Sequence, residues 1–542
     1  MGGEIFLNLI VSNLQIVVEK DTFDEYILVL SKKLGVYSGK FEIVKILNKT
    51  LNIKNLEQFY YDVSLAIKIS DDFENKENFP EYKELGNTTV ASNTKKIWVK
   101  DKPIIIGFGP AGIFAAIELI DNGIKPIIFE RGKKIEERYL DVKNFIEQRV
   151  LNIESNIQFG EGGAGSYSDG KLFSRANNSV YVNKVLNTFI RFGAPCEIEY
   201  IAKPHLGTDV LCKIVCNMRN YILENGGQIH YSSKMTELII SGDKAVGVRI
   251  NDCKEYFSSI IYLAVGHSAR DTFKMIYENG VVLEQKPISV GVRIEHPAKI
   301  INLIRYGAKY KNFSAIGAAN YSFTYTNRKI GRGVYTFCMC PGGEVVNASS
   351  ENGLIVVNGM SYSVRASEFS NSAIVVTCHK SDYKSDSPMS GIEFQRDIEQ
   401  KAFIASGCTW QVPAQNLMDY LSAKISGTLN KNSCKTGTVA VNLYDIFPQF
   451  VNDSLLSAFK SWKKDYPLFV SNDAILLGPE TRTTCPIKIT RNKNFESVNI
   501  KNLYPIGEGS GYSGGITSSA VDGIRVVEAM LLGTFISSHL KK

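Results

Sequence analysis

Pro103-Ile104-Ile105-Ile106-Gly107-Phe108-Gly109-Pro110-Ala111-Gly112-Ile113-Phe114-Ala115-Ala116-Ile117-Glu118-Leu119 decides the reading of the fold, and it runs on to Phe129-Glu130-Arg131-Gly132. The three isoleucines predict a short buried parallel strand, and the apolar positions of 111–122 recur at helical spacing. Gly107, Gly109 and Gly112 supply the G-x-G-x-x-G pattern. Gly107 allows the tight strand-to-helix turn, Gly109 lets backbone approach a pyrophosphate, and Gly112 permits close packing of helix on strand. Pro110 and Ala111 open a helix whose free N–H groups and positive dipole end suit phosphates. A second apolar run, Pro126–Phe129, ends in Glu130, with Arg131 beside it. The Glu130 carboxylate is expected to accept hydrogen bonds from both ribose hydroxyls of an adenosine. Strand, helix and acidic residue together predict an ADP-binding βαβ unit.

Downstream, Ile135–Val150 reads as a charged helix. The span Phe159–Leu172 then holds five glycines in a loop able to wrap backbone donors around phosphates or a flat ring. Its candidate cofactor contacts are Gly163, Gly165, Ser168, Gly170, Lys171 and Leu172. Gly207–Asn225 is helical in pattern and stops at Gly226-Gly227. Gln228–Tyr231 fits a third parallel strand, Met235–Ile240 with Ala245–Ile250 a hairpin, and Ile260–Gly266 a further buried strand ending in a small-residue turn. From 287 to 390 the pattern changes. Ser289–Ile294, Ala318–Thr324, Gly333–Cys340, Glu344–Ala348 and Ala373–Cys378 read as short strands of an inserted antiparallel sheet. Gly391–Ser406, Gln415–Lys424 and Asp453–Tyr466 read as helices.

The run Asn502–Ile524 places a short strand, Leu503–Ile506, before Gly507-Glu508, a glycine-rich turn and a helix of small residues from Ile516. It resembles the second flavin fingerprint of glutathione-reductase-like two-dinucleotide-fold flavoproteins, which implies Gly507, Glu508, Gly514, Gly515 and Ile516, with Gly266, as further cofactor contacts. From Ile104 to Met530 the sequence resembles a bacterial FAD-dependent dehydrogenase family (NAD(P)/FAD-dependent oxidoreductases). The matching segments are Gly107–Gly112, Phe159–Leu172, Lys203–Asp209, Gly266–Thr272, Ser289–Pro297, Phe337–Gly343, Glu480–Thr483 and Tyr504–Gly523. The resemblance implies non-covalent FAD and an α/β fold: a Rossmann-like FAD-binding domain with an inserted, mainly antiparallel α+β substrate domain. Ser513, Ser518 and Ser519 depart from the alanines common in such helices, yet are small enough to keep the packing. Residues 1–100 match only loosely.

The expected division is a small N-terminal α+β module (1–100), the first part of the FAD-binding domain (101–285), a substrate or cap domain (286–470) and the C-terminal return of the FAD-binding domain (471–542). A chain of 542 residues suffices for such a set of cores. The net charge of +7 carries no long basic run, so a small-molecule substrate is expected and nucleic acid is not. No secretory signal and no 18-residue apolar run is seen, which predicts a cytoplasmic protein without a membrane span. Ten cysteines lack zinc-type spacing, so reduced thiols and no metal are expected. Cys338 and Cys340 are the leading candidates for chemistry, one of them facing the flavin as a nucleophile or acid if its pKa is lowered. Arg293, His296 and Arg482 are candidates for holding an anionic substrate or a reduced flavin, or else for structural hydrogen bonding. His205 and His267 read as backbone anchors, and Cys212 with Cys216 as core packing.

The expected function is therefore a FAD-dependent oxidoreductase passing hydride between a small organic substrate and flavin N5. No second dinucleotide βαβ unit is seen, so NAD(P)H, if used, is a transient donor. The alternatives are a flavoprotein acting on a macromolecule such as RNA, and a non-catalytic flavin sensor with residues 1–100 as output.

Overall fold

The computed structural model describes residues 6–75, 77–83, 101–172, 180–328 and 330–539. Ile104–Ile106 forms the central strand of a five-stranded parallel sheet, buried on both faces as its all-apolar sequence requires. The spatial order is Leu503–Pro505, Ile261–Leu263, Ile104–Ile106, Ile127–Phe129, Gln228–His230. The chain thus winds outward in one direction through the first three strands and in the other through the last two. Such a doubly wound sheet opens a crevice where the order reverses, between Ile104–Ile106 and Ile261–Leu263. Helices Pro110–Asp121, Thr208–Glu224 and Ile516–His539 share the apolar core on one face. The other face is covered by an antiparallel sheet and the helix Arg270–Glu278. The expected hairpin gains a third strand, Lys254–Phe257, on Lys244–Ile250.

The inserted region builds a seven-stranded sheet in the order Thr324–Asn327, Arg332–Cys340, Phe369–Cys378, Ile288–Pro297, Ile475–Glu480, Val412–Asn416, Thr438–Ala440. Every pair is antiparallel except the last. Helices Ala298–Tyr310, Ser390–Ala405 and Gln449–Asp465 pack on it. Three expectations are corrected here. Residues 415–424 are not one helix: Val412–Asn416 is held as a strand by ladders on both sides, and only Leu417–Leu421 is helical. Ala318–Phe323 alternates buried and exposed side chains, but the ladder to Arg332–Cys340 begins at Thr324. The sheet also runs past the boundary expected at 470, because Ile475–Glu480 is one of its inner strands.

Residues 6–70 form a separate antiparallel sheet, Phe6–Val17, Tyr60–Ser70, Phe41–Asn52, with helix Phe23–Leu34 on one face. This module touches both other parts. Fully buried Phe59 stacks on Tyr310 of the cap, centroids 4.1 Å apart, and Lys45 pairs with Glu199 of the nucleotide domain at 2.6 Å.

Candidate flavin site

The crevice at the strand reversal is shaped by glycines that leave backbone facing backbone. A Cβ on Gly107 (φ +100°) would stand 2.4 Å from the Ala264 carbonyl oxygen, so only glycine closes the turn at that strand end. A Cβ on Gly163 would stand 3.1 Å from the Gly109 Cα, and one on Gly165 would stand 3.2 Å from Ile516 Cγ1 and 3.6 Å from Pro110 Cγ. The turn Gly163–Tyr167 therefore lies between the N-termini of the helices beginning at Pro110 and Ile516. Two positive dipole ends converge there, an arrangement suited to a diphosphate. Gly266, Gly514 and Gly515 face open space, with nothing within 4 Å of an added Cβ.

Glu508 precedes Gly509, whose added Cβ would stand 2.6 Å from the Gly266 carbonyl oxygen. Its carboxylate carries no hydrogen bond among the described residues, and burial, partly offset by Lys286, pushes its pKa up to about 7. A half-buried acceptor without a donor, near the open backbone of Gly266, fits the hydroxyl-rich chain of a flavin nucleotide. Glu130 is placed otherwise than expected. It accepts backbone N–H bonds from Phe108 (2.8 Å), Gly132 (2.9 Å) and Gly160 (3.0 Å). With about four lone-pair sites on a carboxylate, room remains for one ribose hydroxyl rather than two. Arg131 turns away, paired with Glu154 and bidentate with Asp271 at 2.9 Å. Fully buried Arg138 was not legible as part of the site. It shapes the glycine loop by donating to the carbonyls of Asn156, Ile157 and Glu161 at 2.7–2.9 Å.

On the cap side, strand Arg332–Cys340 brings two thiols within electrostatic reach of Lys171. At the bulge between Phe337 and Cys340, Cys338 adopts φ +43°, uncommon for a non-glycine residue. Cys338 is exposed, and desolvation by the surrounding protein raises its thiol pKa. The condition for a nucleophilic thiol, a lowered pKa, is therefore not met at Cys338. Cys340 is buried, its Sγ on the Cys338 carbonyl at 3.3 Å. Lys171 has a side chain 40% exposed, paired with Asp169 at 2.7 Å and within electrostatic reach of both thiols.

Arg293 and Arg482 do not line the space. Arg293 is fully buried and bidentate with Glu480 at 2.6 and 2.9 Å, with further bonds to Asn371, Asn358 and the Cys338 carbonyl. It fixes the strained bulge from behind. Arg482 binds Glu399 at 2.9 and 3.1 Å and the hydroxyls of Ser268 and Ser350. Both are held in buried ion pairs. His296 is likewise buried, on the Phe469 carbonyl at 2.7 Å. His267 bonds Ser268 Oγ at 2.9 Å, and burial together with the Arg482 and Arg270 charges pushes its pKa down to about 3.

Residues 287–483 match the family model "FAD-dependent protein, C-terminal domain-like". A Clostridium beijerinckii protein, described only as uncharacterized, is 42% identical over 456 residues, covering 84% of each chain. This chain belongs to the same family of FAD-dependent proteins. Its cofactor is FAD, and the glycine cradle and the Glu508 carboxylate fit that group. Solved structures with a distant likeness include the flavin-dependent brominase Bmp2, at 12% identity and TM-score 0.36 over 80% of this chain and 79% of that one. The halogenase PltM aligns at 10% identity and TM-score 0.35, over 81% of this chain and 70% of that one. Likenesses so distant carry no conclusion about this flavoprotein. Among the described residues no group of three or more His, Cys, Asp or Glu could hold a metal, and no helix is long and apolar enough to cross a membrane.

Proposed function

We propose that this FAD-dependent protein is an oxidoreductase that exchanges a hydride with a small organic substrate in the cleft between nucleotide domain and cap. The observation that carries the reading is the convergence of two helix N-termini across the Gly163–Tyr167 turn, with the donorless Glu508 carboxylate next in sequence to Gly509, which packs on Gly266. FAD, when bound, supplies a two-electron carrier reactive at N5. Gly107, Gly109 and Gly112 with the helix from Pro110 would hold the phosphates, and Glu130 the ribose through its one remaining acceptor position. Glu508 would accept from the ribityl hydroxyls, and Gly514 and Gly515 would lead the helix from Ile516 toward the ring.

The cap closes the reacting side against water with Cys338, whose S–H is available as a donor rather than a nucleophile. No second dinucleotide unit exists among the described elements, so a nicotinamide donor would visit the cleft rather than reside beside it. The test is a visible spectrum of the purified protein, then anaerobic NADH and NADPH in turn. Bleaching by one nucleotide supports a nicotinamide-fed reductase. Persistence of the spectrum would make the substrate itself the reductant. Failure to take up FAD on reconstitution would overturn the reading.

A further inference from the structure

We propose that Lys171 and Arg365, joined by one shared carboxylate, form a receptor for a carboxylate group, so that the substrate is a small organic monoanion. The proposal rests on the flavoenzyme reading above. Asp169 is the shared group. Its Oδ2 accepts from Lys171 Nζ at 2.7 Å and Arg365 Nη2 at 2.6 Å, and its Oδ1 from Ser361 Oγ at 2.6 Å and Arg365 Nε at 3.2 Å. Four donors saturate Asp169, which is only 3% exposed, whereas the Lys171 side chain is 40% exposed. One ammonium N–H of Lys171 meets Asp169, and among the described residues the other two meet no acceptor.

Charge balance then selects the ligand. Two cations against one anion leave one uncompensated positive unit. Of the groups around it, Asp209 is engaged by the backbone N–H and hydroxyl of Ser363, at 2.8 and 2.6 Å, rather than by either cation. Arg293 is matched by Glu480 behind the bulge, and the Cys338 and Cys340 thiols are held protonated by burial. His205, on the Ser363 carbonyl, is kept neutral by burial and by Arg365. Among the described residues, a monoanion is the complement.

The site is also built rigidly. A Cβ on Gly170 would stand 1.6 Å from the Leu206 carbonyl oxygen, and one on Gly342 would stand 1.8 Å from that of Arg365. The two loops carrying the cations are thus locked onto neighbouring backbone. Arg365 (φ +47°) and Cys338 (φ +43°) are both non-glycine residues of the cap in the left-handed region. Backbone strain of this kind concentrates where a ligand is clamped.

The experiment titrates the purified holoprotein with formate, acetate and benzoate, following the flavin absorbance, with formamide, acetamide and benzamide as neutral controls. The expected result is a saturable spectral shift with a carboxylate and none with its amide. K171M should weaken that binding by about tenfold or more, the loss of a charge-assisted hydrogen bond, with FAD content unchanged. K171R should largely restore it. Where K171M fails to fold, R365Q is read in the same way. The proposal is overturned if no carboxylate shifts the wild-type spectrum, or if amides act alike. It is equally overturned if K171M loses FAD while its remaining flavin answers carboxylates as before, which would assign Lys171 to the cofactor. A wild-type protein that takes up no FAD defeats the flavoenzyme reading separately, and quenching of tryptophan fluorescence by the same anions then tests the receptor alone.

Discussion

Glu508 and Glu295 show how much one carboxylate depends on its surroundings. Both are pushed up to about 7 by burial, but Glu508 is half-buried with no hydrogen bond among the described residues, whereas Glu295 is fully buried in the cap sheet against Ser433. If Glu508 receives flavin hydroxyls, its ionised form is the better acceptor. FAD affinity should then rise with pH through about 7 and level off above it, while Glu508→Gln should bind about tenfold or more weakly with a flat profile. Equilibrium titration of the apoprotein with FAD from pH 5.5 to 8.5 checks this. Glu295 gives a stability prediction of defined sign. Its folded pKa lies above the unfolded value of about 4.3, so the unfolded chain binds fewer protons in that window, and stability falls as pH rises from there through 7. Glu295→Gln should remove that loss, gaining on the order of a few kcal/mol on wild type between pH 5 and 8 in urea unfolding.

The two fingerprint helices are coupled element to element. A Cβ on Gly523 would stand 2.4 Å from the Ala111 carbonyl oxygen, so the helix from Ile516 lies directly on the helix from Pro110. Gly523→Ala should pry them apart and cost about 1–3 kcal/mol, the usual penalty of overpacking. Because the same contact sets the spacing of the two N-termini across Gly163–Tyr167, flavin content should fall with stability. Thermal melts and the flavin-to-protein absorbance ratio measure the two together. A variant that loses stability but keeps full flavin would separate the contact from the site.

At the scale of the whole molecule, nucleotide domain and cap are fastened by buried charge. Glu399 of the cap helix Ser390–Ala405 accepts from Arg270 at 2.8 Å through both oxygens and from Arg482. Burial would raise the Glu399 pKa, but the two guanidinium charges outweigh it and hold the group well below the usual carboxylate range. Glu399→Gln leaves two buried cations short of their counter-charge and should cost about 3–5 kcal/mol. It should also lower flavin retention, since Arg482 and Arg270 flank the His267 turn. Phe59 fastens the N-terminal module between Tyr306 and Tyr310. Phe59→Ala should cost about 3–5 kcal/mol. Denaturant unfolding should then split into a module transition and a main one, whereas a single shifted transition would argue that the module has no independent stability.

The sequence by itself determined the first βαβ unit, the return of the chain at Leu503 and the family to which both belong. Those features are local: a buried parallel strand must be apolar throughout, a turn at φ +100° must be glycine, and a helix must repeat its apolar face. Only the tertiary structure decided the rest. Arg293 and Arg482 have the chemistry of substrate ligands, but their partners Glu480 and Glu399 reach them only through the folded cap. Residues 412–416 became a strand because Ile475–Glu480 and Thr438–Ala440 offered ladders that helical pattern alone could not reveal. Arg365 stands 194 residues beyond Lys171 in the chain, yet both meet Asp169. Such pairs leave no mark on spacing, because a charge finds its partner through space, and packing sets that distance.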